Sequence, residues 1–230
     1  MGSKEYSSRL WMANLIKQGT KSIGVGRNYV GRNPTPMPKE PILFLKPTSS
    51  YLANGGTIEI PASMEHLWYE AELAVVIGKK ARDVSESEGL DYAVGYALGL
   101  DMTAMELQAT TKGLPWLLAK GLDTFTPISG MISKDVVPDP HNLELWLKVD
   151  AELKQKGPTS DTIFKVPYLI SHISTFMTLV EGDVILICTV EGIRPVKPGQ
   201  KITAGITGLM HIHLDAEKRS TPVSNLSVII

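Results

Sequence analysis

Leu67-Trp68-Tyr69-Glu70-Ala71-Glu72-Leu73-Ala74-Val75-Val76-Ile77-Gly78 is an apolar, β-prone run that carries two carboxylates two residues apart. Side chains alternate faces along a strand, so Glu70 and Glu72 are expected on one face, close together. Like charges at that separation repel and cost stability. A hard divalent cation removes the cost, because oxygen ligands suit Mg²⁺, Mn²⁺ or Ca²⁺. The third oxygen is expected from Asp101, which closes the apolar run Val94-Gly95-Tyr96-Ala97-Leu98-Gly99-Leu100. A carboxylate ending a buried strand faces a desolvation penalty unless something pairs with it. By spacing alone, E-x-E more often marks a solvated strand face. Here the flanks are apolar on both parities, as in a strand covered on both sides. Lys120 ends a further apolar segment, Leu114-Pro115-Trp116-Leu117-Leu118-Ala119. Three acids and a lysine, each at the edge of a hydrophobic run, read as a site rather than a surface.

Working outward, the 230 residues suit a single domain, read as 21–216, with an N-terminal extension at 1–20 and a tail at 217–230. The net charge of −1 points to neither nucleic acid nor an anionic membrane surface. One cysteine, Cys188, excludes an internal disulfide and reads as a small buried hydrophobe. No stretch reaches the roughly 18 apolar residues of a membrane span. Ser8 to Lys17 suits a short amphipathic helix and only weakly resembles a mitochondrial presequence.

Short strands punctuated by Gly and Pro, with few helices, predict a mainly β domain. Lys21 to Gly26 reads as a strand entering a glycine turn, and its G-x-G lacks the continuation of a dinucleotide site. Arg32 to Pro41 holds four prolines and cannot be helical. Asn54-Gly55-Gly56 signals a hairpin-type turn before the strand Thr57 to Ile60. Ser85 is a cap candidate for a short helix with acids in its first turn. Thr103 to Gln108 reads as a helical turn. Leu143 to Val149 alternates as a half-buried strand, turns at Asp150-Ala151-Glu152 and returns as a hairpin. A helix is expected from about Tyr168 to Leu179, with His172 as a packing or surface residue. His211 and His213 alternate on a strand but lack the further ligands a zinc site wants.

Y-E-A-E-L-A-V-V-I-G from Tyr69, G-Y-A-L-G-L-D-M-T-A-x-x-L-Q from Gly95 and G-L-P-W-L-L-A-K-G-x-D-T-F-T-P from Gly113 together resemble the fumarylacetoacetate hydrolase superfamily, in its acylpyruvase and oxaloacetate decarboxylase branch. The resemblance runs from about Ile23 to about Leu209. It implies a mixed β-roll or sandwich with peripheral helices (α+β), a homodimer, and a mitochondrial location with a cytoplasmic alternative. It implies Mg²⁺ or Mn²⁺ on Glu70, Glu72 and Asp101, catalysis by Lys120, and substrate contacts from Gln108 and Thr189. The chain also departs from the family. The family's lid carries a histidine and a glutamate that activate water, whereas Arg32 to Pro41 has no histidine and only Glu40 as an acid. Met105 stands where the family usually has a carboxylate-binding arginine. In the family's T-G-T-P-x-G-V-G-P-V segment, Cys188, Val190 and Arg194 replace glycine, proline and glycine, and Arg194 is expected to distort or plug the pocket mouth.

Two functions follow. The first is a divalent-metal enzyme for small 2-oxo or 1,3-dicarbonyl acids, with hydrolysis weakened and decarboxylation or keto–enol tautomerisation surviving. The second is a non-catalytic paralogue that keeps the fold and dimer surface.

Overall fold

The computed structural model describes residues 16, 18–30, 37–110 and 116–220. Most of the expected N-terminal helix, half of the proline-rich stretch and the end of the tail lie outside the described residues. Strands dominate, and the helices are few and short.

In chain order, β1 (Ser22–Gly26) and β2 (Ile42–Lys46) pair antiparallel. β3 (Tyr51–Ala53) and β4 (Thr57–Ile60) are followed by β5 (Leu67–Trp68), β6 (Ala71–Ile77) and β7 (Ala93–Leu100). Two short helices, α1 (Met105–Thr110) and α2 (Trp116–Lys120), precede β8 (Thr126–Ile128) and β9 (Ile132–Ser133). The hairpin β10 (Glu144–Val149) and β11 (Glu152–Pro158) leads to α3 (Val166–Phe176). β12 (Val184–Thr189), β13 (Pro195–Val196), β14 (Lys201–Ile206) and β15 (Met210–Lys218) complete the set.

One sheet runs β2-β1-β12-β6-β7-β8-β3, with β9 on β7; a second runs β11-β10-β14-β15-β4; β13 pairs β5 alone. β6 is interior to the first sheet, between β12 and β7, and all its residues are buried. Its two parities serve different layers. Leu73, Val75 and Ile77 face the main core with Leu145, Leu147, Ile202, Ile212 and Leu214 of the second sheet. Ala74 and Val76 face a smaller cluster with Leu186, Ala97 and Ile128. That is why the run around Glu70 lacks the alternation of a half-exposed strand.

Several local expectations shift. Asn54-Gly55-Gly56 turns the chain, with Gly55 at φ 83°, but it joins strands of different sheets and so makes no hairpin. The β10–β11 turn is tight, with Asp150 at φ 49° and Ala151 at φ 68°. Residues Glu86–Tyr92 form a 3₁₀ helix, and Ser85 donates to Glu88 Oε2 at 2.5 Å instead of capping the backbone. α3 starts earlier than expected, because Pro167 fits its first turn, and it ends at Phe176. Its His172 stacks on Tyr168 and meets Phe176 edge-on. β15 runs on to Lys218, past the expected boundary at residue 216.

Asp183 ties the chain's entry to the sheet. Its fully buried carboxylate accepts from Thr20 N–H at 2.8 Å, Lys21 N–H at 3.1 Å, Val180 N–H at 2.9 Å and the Lys21 ammonium. Asp183→Ala would strand those donors and is expected to lower stability by about 3–5 kcal/mol, the cost of breaking a buried ion pair. Urea unfolding with an unchanged m-value would measure it.

Candidate metal centre

The start of β6 and the end of β7 meet at one cavity of about 270 Å³. Glu70 precedes β6, Glu72 lies within it, and Asp101 follows β7, its neighbour in the sheet. Asp101 N–H donates to Glu70 C=O at 2.9 Å, which fixes the two residues side by side. Each of the three offers a carboxylate oxygen, and these lie within 4.8 Å of one another; all three side chains are buried.

Lys120, the last residue of α2, is 4% exposed and reaches into this cluster. Its ammonium donates to Asp101 Oδ2, to Thr103 Oγ1 at 2.7 Å and to Glu70 Oε1 at 3.2 Å. Lys46, at the end of β2, is 0% exposed and donates to Asp101 Oδ1 at 2.6 Å and to Lys120 C=O. Burial opposes the charge on Asp101, but Lys120 and Lys46 outweigh it and hold its carboxyl below the usual range. Burial lowers Lys46 despite Asp101. For Lys120 the carboxylates win over burial and raise it.

The donor set fits a divalent cation. Three carboxylates face two ammonium groups, so one negative charge is left in a buried site. Glu72 carries the mismatch: burial first, then Asp101 and Glu70, push its carboxyl well above the usual range. Only the Cys188 N–H, at 2.7 Å from Oε2, hydrogen-bonds its carboxylate among the described residues. A hard cation would supply the missing charge through oxygen ligands.

Aromatic rings close one side. Phe44 lies 5.0 Å below the Lys120 ammonium and meets Trp116 edge-on, with centroids 5.3 Å apart. Both rings sit on β1 where it has glycine. A Cβ at Gly24 would come within 2.1 Å of Phe44, and one at Gly26 within 2.5 Å of Trp116. The glycines of the rejected G-x-G are thus seats for two cavity walls.

Of the residues singled out from sequence, Glu70, Glu72, Asp101, Lys120 and Gln108 share the cavity wall. Thr189 is not in that wall. It is fully buried opposite Glu72 in the β12–β6 ladder, and Gln155 Nε2 donates to its hydroxyl at 2.9 Å. Gln155 also accepts from Ala71 N–H at 3.0 Å, so this side chain clamps the strand carrying Glu72. Arg194 is exposed and lines a different cavity, so it plugs nothing at the metal cluster. Sequence reasoning missed Lys46, Gln155 and the cavity-lining Arg27. The signal for Lys46 was present: like Lys120, it ends an apolar run. His211 and His213 lie side by side on the exposed face of β15, and the only metal-type cluster among the described residues is the carboxylate one.

Cys188 occupies a conformation that suits glycine, with φ 89°, and its side chain lines the cavity. Such a backbone costs a non-glycine residue about 1–3 kcal/mol. Cys188→Gly is expected to leave stability within about 1 kcal/mol, since relief of strain offsets lost burial. Cys188→Val, β-branched at the same φ, is expected to cost at least about 2 kcal/mol, and urea unfolding would measure both variants.

Comparison with known proteins places this geometry. A family model described as fumarylacetoacetate (FAA) hydrolase C-terminal matches residues 20–215. Oxaloacetate tautomerase FAHD1, mitochondrial, of Arabidopsis thaliana is 63% identical over 215 residues, covering 91% of this chain and 96% of that protein. Oxaloacetate decarboxylase, mitochondrial, of Dictyostelium discoideum is 52% identical over 204 residues, covering 86% and 94%. The crystal structure of fumarylpyruvate hydrolase from Pseudomonas aeruginosa, in complex with Mn²⁺ and pyruvate, superposes with a TM-score of 0.80 at 30% identity, covering 86% of this chain and 90% of that one.

Proposed function

The chain belongs to the fumarylacetoacetate (FAA) hydrolase family, and from that premise we propose that it is a Mg²⁺- or Mn²⁺-dependent enzyme that interconverts the keto and enol forms of oxaloacetate or a close 2-oxo dicarboxylate. Decarboxylation of the same substrate is its second activity, and hydrolysis of acylpyruvates is weak. The observation that carries this reading is Lys120, held as a buried ammonium against Glu70 and Asp101 in the cavity wall.

Glu70, Glu72 and Asp101 would hold the ion, which would supply Lewis-acid polarisation of the 2-oxo group. Lys120 Nζ already spends its three N–H bonds on Glu70, Asp101 and Thr103. The bond to Glu70 is the longest of these, so it is the one that would be given up were Glu70 to hold an ion. That N–H would then be free to donate to the 2-oxo oxygen and would stabilise the negative charge carried there by the enolate form. Gln108 and Arg27, both in the wall, are placed to orient the substrate's carboxylates. Arg27 supplies a cation to a wall in which Met105 supplies none. Neither tautomerisation nor decarboxylation needs an activated water, so a stretch from 32 to 41 without histidine harms them less than hydrolysis. The same reading pairs the chain with a second copy; it also assigns the chain to the mitochondrion, the compartment in its relatives' names.

The test is tautomerisation and decarboxylation of oxaloacetate by purified protein in Mg²⁺ and in EDTA, beside Glu70→Ala/Glu72→Ala. Both rates are expected to fall to the protein-free background of the same buffer, in EDTA and in the variant. Equal rates for protein and variant would move the assignment to a non-catalytic paralogue. Acylpyruvate cleavage as fast as the oxaloacetate reactions would reverse the ranking of activities.

A further inference from the structure

A second concavity, of about 530 Å³, lies on the other side of the Tyr69–Glu70 peptide: Glu70 lines the metal cavity and Tyr69 lines this one. Its size is in the range of small-molecule sites. Tyr69 is 0% exposed, and its hydroxyl has no hydrogen-bond partner among the described residues. Leaving a buried hydroxyl unpaired is destabilising, so such a group calls for a partner that binds there.

The remaining wall is cationic. Lys154 is neutralised by Glu152 at 2.6 Å, whereas Arg194 and Lys197 form no ion pair among the described residues. Two uncompensated cations therefore line this cavity together with Tyr69, whose unpaired hydroxyl is buried beside it. The wall is built in advance. Gly192, at φ 102°, seats its loop so closely on β11 that a Cβ would lie 2.2 Å from Lys154 C=O. Arg194 C=O accepts from Tyr69 N–H at 3.4 Å, and Pro195 pairs with Trp68.

We propose that this cavity binds a small polyanion through Tyr69, Arg194 and Lys197, a ligand bearing phosphate or clustered carboxylates. The site is distinct from the metal cavity, but the two share a segment. The stretch that supplies Arg194 begins at Cys188, whose N–H holds Glu72. A ligand here would restrain the chain on both sides of the metal cluster.

The experiment is isothermal titration calorimetry of the full chain, freed of metal with EDTA and then dialysed, using inorganic phosphate and citrate as separate probes. At least one probe is expected to bind saturably, once per chain. Arg194→Ala/Lys197→Ala should weaken it at least 10-fold and Tyr69→Phe about 3-fold, while Lys120→Met leaves it unchanged. Phosphate alone, or citrate alone, identifies which anion the cavity prefers. Amide exchange over residues 191–197 should slow with the winning probe, in wild type and not in the double variant. Absence of saturable binding by both probes, undiminished binding in the folded double variant, or binding lost in Lys120→Met would each overturn the proposal.

Discussion

Lys120→Met is expected to lower kcat for oxaloacetate tautomerisation by on the order of 10²–10³-fold, the usual loss when one preorganised charge donor is removed. Methionine keeps the length and apolar stem, so the packing of α2 against Phe44 should persist. The informative control is metal affinity. Removing a cation that bonds to Asp101 and Glu70 leaves the carboxylates more negative. Mn²⁺ should therefore bind no more weakly, and at low ionic strength more tightly. A residue that merely props up the metal site would give the opposite pattern, with Mn²⁺ affinity and kcat falling together. Lys120→Arg keeps the charge but replaces a compact ammonium by a planar fork, and Thr103 and Asp101 leave it little room. It should recover stability more than rate. Full activity in Lys120→Met would remove the residue from the mechanism.

What the sequence made legible follows from the range of each interaction. Glu70 and Glu72 were visible together because a strand's period of two is local and strict. Asp101 and Lys120 were visible because a charged residue closing an apolar run is conspicuous wherever it folds. The mainly β architecture was readable from turn residues, whereas the pairing of β6 with β12 was not, because their partners lie more than 100 positions apart. The same distance hid Gln155, an ordinary strand residue until its amide is found bridging Ala71, Thr189 and Val190. The hairpin expected at Asn54-Gly55-Gly56 failed for a related reason. The turn signal was right, but which sheet each flanking strand joins is decided by distant partners, β8 for one and β15 for the other. Arg194 was placed at the pocket mouth because it stands where the family's segment has its last glycine. In space the segment turns on Gly192 and carries the guanidinium to another wall.

Lys46→Met should produce the largest change in stability at the site, because Lys46 is fully buried and bonds to Asp101 at 2.6 Å. Two effects compete. Methionine removes the desolvation cost of a buried ammonium, which is large enough here to lower Lys46 below its usual range. Against that, Asp101 loses one of its two cations, and Lys120 C=O loses its buried donor. With three carboxylates left facing one lysine, the second effect wins, and the metal-free protein should lose about 3–5 kcal/mol. The assignment of Lys46 as a counter-charge makes two further demands. Mg²⁺ or Mn²⁺ should return part of the loss, more in the variant than in wild type, because the ion binds only the folded cluster. Lys46→Met/Asp101→Asn should be more stable than Lys46→Met alone, since it removes the carboxylate left undercompensated. A single-variant loss below about 1 kcal/mol, or a double variant in which the two losses simply add, would mean that Lys46 is held there by packing and that Lys120 alone balances Asp101.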